Sequence, residues 1–509
     1  MQVLAISTLA PLVFLVLSFS SGDRDRLIFP EGDARAEAAQ LSSRTPVVEV
    51  VFDGLPTATL MNRSGKRINA KRFPGFAKLA DQSTWYRNNT TVADFTGRAI
   101  PAIETGINPG YRTLPIASEH PNSIFTLLGG EYEFNVHEPV TRVCPQSLCP
   151  RSGPNPGGEG LTAGEFAQEM FVKPRPRQFK RFLDGIPPHG RSFNFIHFEV
   201  PHEPFHFLPD GRSYNFTPIS DVANHNGQKW AGGRGGTATT WQRHYIQTGY
   251  ADTLTRRMIR RVKRAGIWNE ALVIVTADHG MSFDPRTFRR IAFPGNFGGI
   301  ANPVLFIKYP GQTEGAVSNL HTSTIDIVPT TAQVLGIELP YETDGVPISE
   351  AGYGGSIRIS NAFNKVAHEP FRKFRRERRR VLRRAARQLG SHTGLFQLGP
   401  RSSLLGRRAR ASHGGSAANA TLDSRLDFRP VVLGGGRKVP AFVNGTIGGS
   451  AAGSVIAIAV NGRIVATCRA FRFKGQTRWG AVVPPSALHS GSNSVGVYLA
   501  RRNRLVRLR

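Results

Sequence analysis

Residues 272–283 read LVIVTADHGMSF: five of the first six side chains are apolar, and Asp278, His279 and Gly280 follow at once. A short continuous apolar run is the pattern of a strand buried on both faces. A strand that ends in a turn accounts for Asp and Gly there, because both are common turn residues. A metal site accounts for the carboxylate and the imidazole together, because open α/β sheets place ligands at the carboxyl ends of their strands. One strand does not decide between the two.

Outward from this stretch, PVVEVVFDGLP (46–56), FNFIHFEVP (193–201) and PVLFIKYPG (303–311) repeat the apolar pattern. Between them, Trp241, Tyr245, Thr248, Ala251, Leu254, Met258, Val262 and Ala265 recur mostly every three or four residues. That spacing predicts a helix over 241–265, stopped by Gly266. STIDIVPTTAQVLGIELP (323–340) reads as one more helix. Strands alternating with helices predict an α/β fold, a mostly parallel central sheet flanked by helices. From Asp427 onward, short β-runs split by Asn-Gly and Gly-rich turns predict a small antiparallel β domain, a sandwich rather than a barrel.

The chain of 509 residues has room for two or three domains. The reading divides it into a hydrophobic anchor or signal segment (1–21), a linker (22–45), a catalytic domain (46–352), a basic linker with a helix (353–425) and a β-rich domain (426–509). Val3 to Phe19 is apolar, with no Lys or Arg before it and charged residues from Asp23 after it. A membrane-anchored protein with its catalytic domain outside the cytoplasm is therefore expected. Cys144 and Cys149, in RVCPQSLCP, are close enough to bridge a small loop there, and Cys468 reads as a buried bystander. The net charge of +29 is partly local: Arg372 to Arg387 hold ten Lys or Arg against Glu377 alone. Near an anionic leaflet each such residue contributes about 1 kcal/mol. This segment is read as facing a membrane or cell-envelope polymer rather than a nucleic acid; oligomeric state is left open.

In a parallel sheet all carboxyl ends share one edge, so Asp53 can meet Asp278 and His279 across 225 positions of chain. Two carboxylates and an imidazole suit one divalent cation: Mn, Mg or Ca through oxygen, Zn through nitrogen. RNNTTVADFTGRAIPAIETG (87–106) offers Thr90, Thr91, Thr96 and Thr105 as nucleophiles. Thr96 stands out, placed before Gly97, Arg98 and an apolar segment.

The ordered set VVFDG, TTVADFTGRAIPAIETG, FEVPHEPF, LVIVTADHG and TIDIVPTTAQVLGI resembles the alkaline phosphatase superfamily over roughly residues 46–350. The resemblance is to its sulfatase-like branch, which includes membrane-anchored lipoteichoic acid synthases and phosphoethanolamine transferases. It implies that Asp53, Asp278 and His279 bind the metal, and that Thr96 both binds it and attacks the substrate. It implies an acid–base part for His202. Arg98, Arg289 and Arg290 are candidates to hold the non-bridging oxygens.

Two departures steer the reading. The Cys or Ser, Pro and Arg signature from which sulfatases make formylglycine is replaced by TGRAI, which points to a phosphate ester rather than a sulfate ester. Two-zinc relatives need a further Asp/His/His set; PHEPFH keeps His202 and His206 at that spacing but lacks the Asp, so one metal is expected. The expected activity is a metal-dependent hydrolase or transferase acting on a phosphodiester or phospholipid head group through a covalent threonine. The alternatives are a sulfuric ester hydrolase and a non-catalytic polyanion-binding surface protein.

Overall fold

The computed structural model describes residues 43–150, 175–214, 228–352, 354–390, 394–410, 419–423, 428–434, 438–448, 452–501 and 504–508. The expected anchor at 1–21 lies outside these residues. Among the described residues no helix is long and apolar enough to cross a membrane.

Seven strands form the central sheet: β1 (Val47–Asp53), β2 (Thr84–Thr90), β3 (Glu133–His137), β4 (Ser192–Pro201), β5 (Leu272–Ala277), β6 (Leu305–Lys308) and β7 (Ala316–Ser323). Their order is β3-β4-β1-β5-β6-β2-β7. β1, β4 and β5 are parallel neighbours and buried along their whole length, as their apolar runs require. β6 runs antiparallel to both β5 and β2, so the PVLFIKYPG strand points the other way and brings its carboxyl end to the opposite edge. Apolar content does not encode strand direction.

Register places the site. Val51 of β1 pairs with His197 of β4 and Thr276 of β5, and Phe52 pairs with Phe198 and Ala277. Asp53 and Asp278 therefore emerge side by side, and the Asp278 amide donates to Phe52 O at 3.0 Å. Gly54 turns the chain away with φ +70, a conformation that favours glycine.

Helices cover both faces. Pro74–Ala80 and the helix Gly233–Arg264 pack with Phe52, Phe198 and Val275 on one side. Thr96–Thr105 and Ile327–Leu335 pack with Val51, Phe195 and Ile274 on the other. The long helix starts eight residues before Trp241, because its first turns, GRGGTATT, carry small residues without an apolar period. Gly235 lies against Phe471, and Thr239 Oγ1 donates to Gly480 O at 3.3 Å, so these turns dock on the C-terminal region. The helix ends at Arg264, and Gly266 follows with φ +80.

The basic segment is part of the same body. A hairpin of β8 (Ser356–Ser360) and β9 (Val366–Pro370) leads into the helix Phe371–Leu389. Phe374 packs with Ile300 and Ile357, and Arg378 donates to Asn88 Oδ1 at 2.8 Å. The last region is all antiparallel. β10 (Phe442–Thr446), β14 (Gln476–Val482) and β13 (Phe471–Phe473) form one sheet, and β12 (Arg463–Arg469), β11 (Val455–Val460), β15 (Val495–Arg501) and β16 (Arg504–Arg507) the other. Their shared core includes Phe442, Ile458, Cys468 and Trp479. Cys144 and Cys149 are bonded to each other, and Cys468 is free and buried.

Glu49 lies in the middle of β1 with 2% of its surface exposed. Burial pushes its carboxyl up to about 8. Between about pH 4.5 and 8 the folded chain therefore holds a proton that the unfolded chain has released, and stability falls as pH rises. Glu49→Gln removes that slope. Denaturant titrations should find the variant more stable at pH 8.5 by upward of ~1 kcal/mol, since one unit of displacement is worth roughly 1.4 kcal/mol, and little changed at pH 4.5. An equal effect at both pH values would contradict the assignment.

Candidate metal and nucleophile site

Asp53, Asp278 and His279 each present a ligand atom within 4.8 Å of the others, and all three are buried. The Thr96 hydroxyl donates to Asp278 Oδ2 at 2.9 Å and lies 3.4 Å from Asp53 Oδ2. It reaches them from the first turn of Thr96–Thr105, where unpaired amides favour negative charge. Asp278 Oδ1 is held by the amides of Gly54 at 3.0 Å and His279 at 2.6 Å. The metal residues and nucleophile expected from sequence thus come together.

The charges are poorly offset. Burial, followed by the facing Asp278, raises Asp53 to about 7. Burial also raises Asp278 to about 6, against the pull of its backbone and Thr96 hydrogen bonds. Asp53 Oδ1 has no hydrogen-bond partner among the described residues. His279 Nδ1 donates to Gly280 O at 2.9 Å, which leaves the Nε2 lone pair toward Asp278 Oδ2 at 3.4 Å. Burial and then Arg290 lower this imidazole to about 4, keeping it neutral. An unpaired carboxylate oxygen, two mutually repelling carboxylates and a neutral imidazole fit a divalent cation.

Arg290 bridges two histidines: one guanidinium nitrogen bonds His202 Nε2, the other donates to His279 Nε2 at 3.2 Å. Nε2 has one lone pair, so metal ligation and this bond exclude each other, and His279 as a ligand would release that arm of Arg290. His202 Nδ1 donates to Glu203 O at 2.6 Å, leaving Nε2 as the accepting atom. Arg289 pairs instead with Glu203. Arg98 is engaged with the hairpin loop: its guanidinium bonds Ser360 Oγ at 2.8 Å and Asn361 O at 3.3 Å, and it lies over the Phe95 ring.

Sequence reasoning missed the frame. Gln247, on the long helix, donates to His202 O at 2.7 Å and accepts from the amides of His206 and Phe207. His244 Nε2 donates to Gly54 O at 3.1 Å. Asp94 accepts from the amides of Ala292 and Ala362, tying the Thr96 turn to the Arg290 loop. None of these polar residues falls on an apolar period. His197 was missed although it interrupts the apolar run FNFIHFEVP; its Nε2 lies 3.8 Å from Asp53 Oδ2.

With both aspartates raised, a cation must displace protons below about pH 7. Affinity for Mn2+ should therefore rise from pH 5 to 8. Calorimetry at pH 6 in buffers of different ionisation heat should show proton release that vanishes near pH 8.5. Identical heats in every buffer at pH 6 would refute the raised values.

A sulfatase family model matches residues 152–337, which include His202, Asp278 and His279; Asp53 and Thr96 precede the matched stretch. No curated protein matches the chain. Solved structures with a similar fold include a phosphonate monoester hydrolase from Silicibacter pomeroyi, at 17% identity and TM-score 0.44, covering 60% of this chain and 76% of that one. Another, from Agrobacterium radiobacter, has 15% identity and TM-score 0.42, covering 62% and 80%. A 2-O GAG sulfatase has 13% identity and TM-score 0.45, covering 66% and 87%. The family match thus covers 186 of the 509 residues, inside the α/β unit that carries His202, Asp278 and His279.

Proposed function

We propose that the chain is a sulfatase-like hydrolase that acts on a phosphate ester through a covalent threonine. The observation that carries the reading is the Thr96 hydroxyl held between Asp278 Oδ2 and Asp53 Oδ2 at the end of a helix. Asp53, Asp278, His279 and the Thr96 oxygen would hold the cation. When bound it supplies Lewis acidity, lowering the pKa of a hydroxyl and polarising a phosphoryl oxygen.

The residues divide the remaining work. Thr96 already donates to Asp278 Oδ2, so its proton has an acceptor as Oγ1 forms its bond to phosphorus. The ester P–O bond breaks, and the proton released from Thr96 ends on the leaving oxygen. Water or an acceptor alcohol then displaces Oγ1, giving its proton to His202 Nε2, the accepting nitrogen set by the Nδ1–Glu203 bond, once the Arg290 arm that bonds it turns to the substrate oxygens. The proton returns to Thr96, and the cycle closes. Arg290 has two forked donors in reach of this point and suits the non-bridging oxygens.

Sulfate-ester hydrolysis is the second reading, favoured by the family match. The threonine weighs against it, because formylglycine is made from Cys or Ser. Intact-mass analysis after incubation with an aryl phosphodiester or anionic phospholipid should show an adduct on the wild type and none on Thr96→Ala, with turnover down by at least about 10³-fold. Turnover of aryl sulfate alone, without adduct, would overturn the phosphate reading.

The reading also puts the domain outside the cytoplasm, anchored through residues 1–21. The Cys144–Cys149 bond supports an oxidising compartment. Arg372, Arg376, Arg379, Arg383 and Arg387 are exposed at intervals of three and four along one helix, and the acid of that helix, Glu377, is buried. This stripe suits an anionic lipid or envelope polymer. Binding to vesicles with anionic lipid should fall steeply between roughly 0.05 and 0.5 M salt as screening shortens. Reversing Arg376, Arg379 and Arg383 to Glu should abolish it; salt-independent binding would refute the electrostatic account.

A further inference from the structure

The imidazole of His197 takes no part in the reaction described above, yet its surroundings require a partner for it. It sits between Ile196 and Phe198 in the middle of β4 with no exposed surface. Neither ring nitrogen has a hydrogen-bond partner among the described residues, whereas buried polar groups nearly always have one. Its placement in the sheet turns it toward the site: His197 stands opposite Val51, on the face to which Asp53 returns two residues later. Nε2 lies 3.8 Å from Asp53 Oδ2 and 4.0 Å from Asp278 Oδ2. Those separations are too long for hydrogen bonds. They are the separations found between atoms that each sit about 2 Å from one shared ion. The same two oxygens face Thr96 Oγ1, so hydroxyl and imidazole address one point.

We propose that His197 is a further nitrogen ligand of the cation held by Asp53, Asp278 and His279, an inference that rests on the metal-dependent reading. A second imidazole softens an otherwise oxygen-rich donor set and shifts preference from Ca and Mg toward Mn and Zn. It also supplies the partner that the buried ring lacks. Its position inside the strand makes it a ligand fixed by the sheet, whereas His279 is carried by the loop that follows β5.

Pulsed electron paramagnetic resonance on the full chain loaded with Mn2+ alone counts coordinated imidazoles directly. Two are expected in the wild type, and one in each of His197→Gln and His279→Gln. Calorimetry should show Mn2+ binding at least about tenfold weaker in His197→Gln. A single imidazole in the wild type, lost in His279→Gln, overturns the proposal and leaves the metal-dependent reading intact. Two imidazoles that persist in His197→Gln also overturn it. A wild type that binds no Mn2+ overturns the metal reading itself. If His197→Gln does not fold, the wild-type count of two or one still decides.

Discussion

Two buried carboxylates meet at the ends of neighbouring strands, and the surrounding chain is arranged around that fact. Asp53 and Asp278 close adjacent parallel strands in matched register, so neither moves away without unpairing the sheet. Each buried charge costs several kcal/mol unless paired. Two amides and a hydroxyl offset part of the cost at Asp278, while Asp53 keeps an oxygen with no donor among the described residues. A guanidinium approaches through Arg290 but stops on the histidines. This imbalance marks the point as the candidate cation site more firmly than any one side chain does.

The frame that keeps the carboxylates in place is mostly neutral and polar. His244 and Gln247 lie one turn apart on the same helix, one holding the end of β1 and the other the loop after β4. Asp94 joins the Thr96 turn to the loop carrying Arg290. Gly280 lets that loop pass close to Gly299, where a Cβ would come within 2.1 Å of the carbonyl oxygen. These contacts leave Thr96 little freedom, which is what the nucleophile role proposed for it would need.

Much of this was legible in the chain itself, and the reasons are physical. Strands buried on both faces announce themselves as apolar runs, and a carboxylate ending such a run is costly enough to be noticed; Asp53 and Asp278 were found that way. Thr96 needed the ordering of several motifs, because a threonine beside a glycine is chemically unremarkable. The direction of β6 was not legible, since Leu305–Lys308 reads the same in either sense. Nor was the commitment of Arg98 to the hairpin, because its partners Ser360 and Asn361 lie more than two hundred and fifty positions away. Gln247 and His244 sit on a helix whose apolar period marks its core face and says nothing about polar neighbours. His197 was visible as an interruption, but only register gives that interruption a meaning.

The helix Gly233–Arg264 spans two regions that the sequence separates. Its first turns carry Gln242, which accepts from the Val482 amide at 3.1 Å, while Gln247, little more than a turn later, secures the loop of His202. The C-terminal sheets are thus seated on the same rod that holds the loop of the candidate site. The tail is not a module that recombination can swap freely: a replacement would have to present a matching surface to the Gly235–Gln242 stretch, or the rod would lose its seat and the chemistry its alignment.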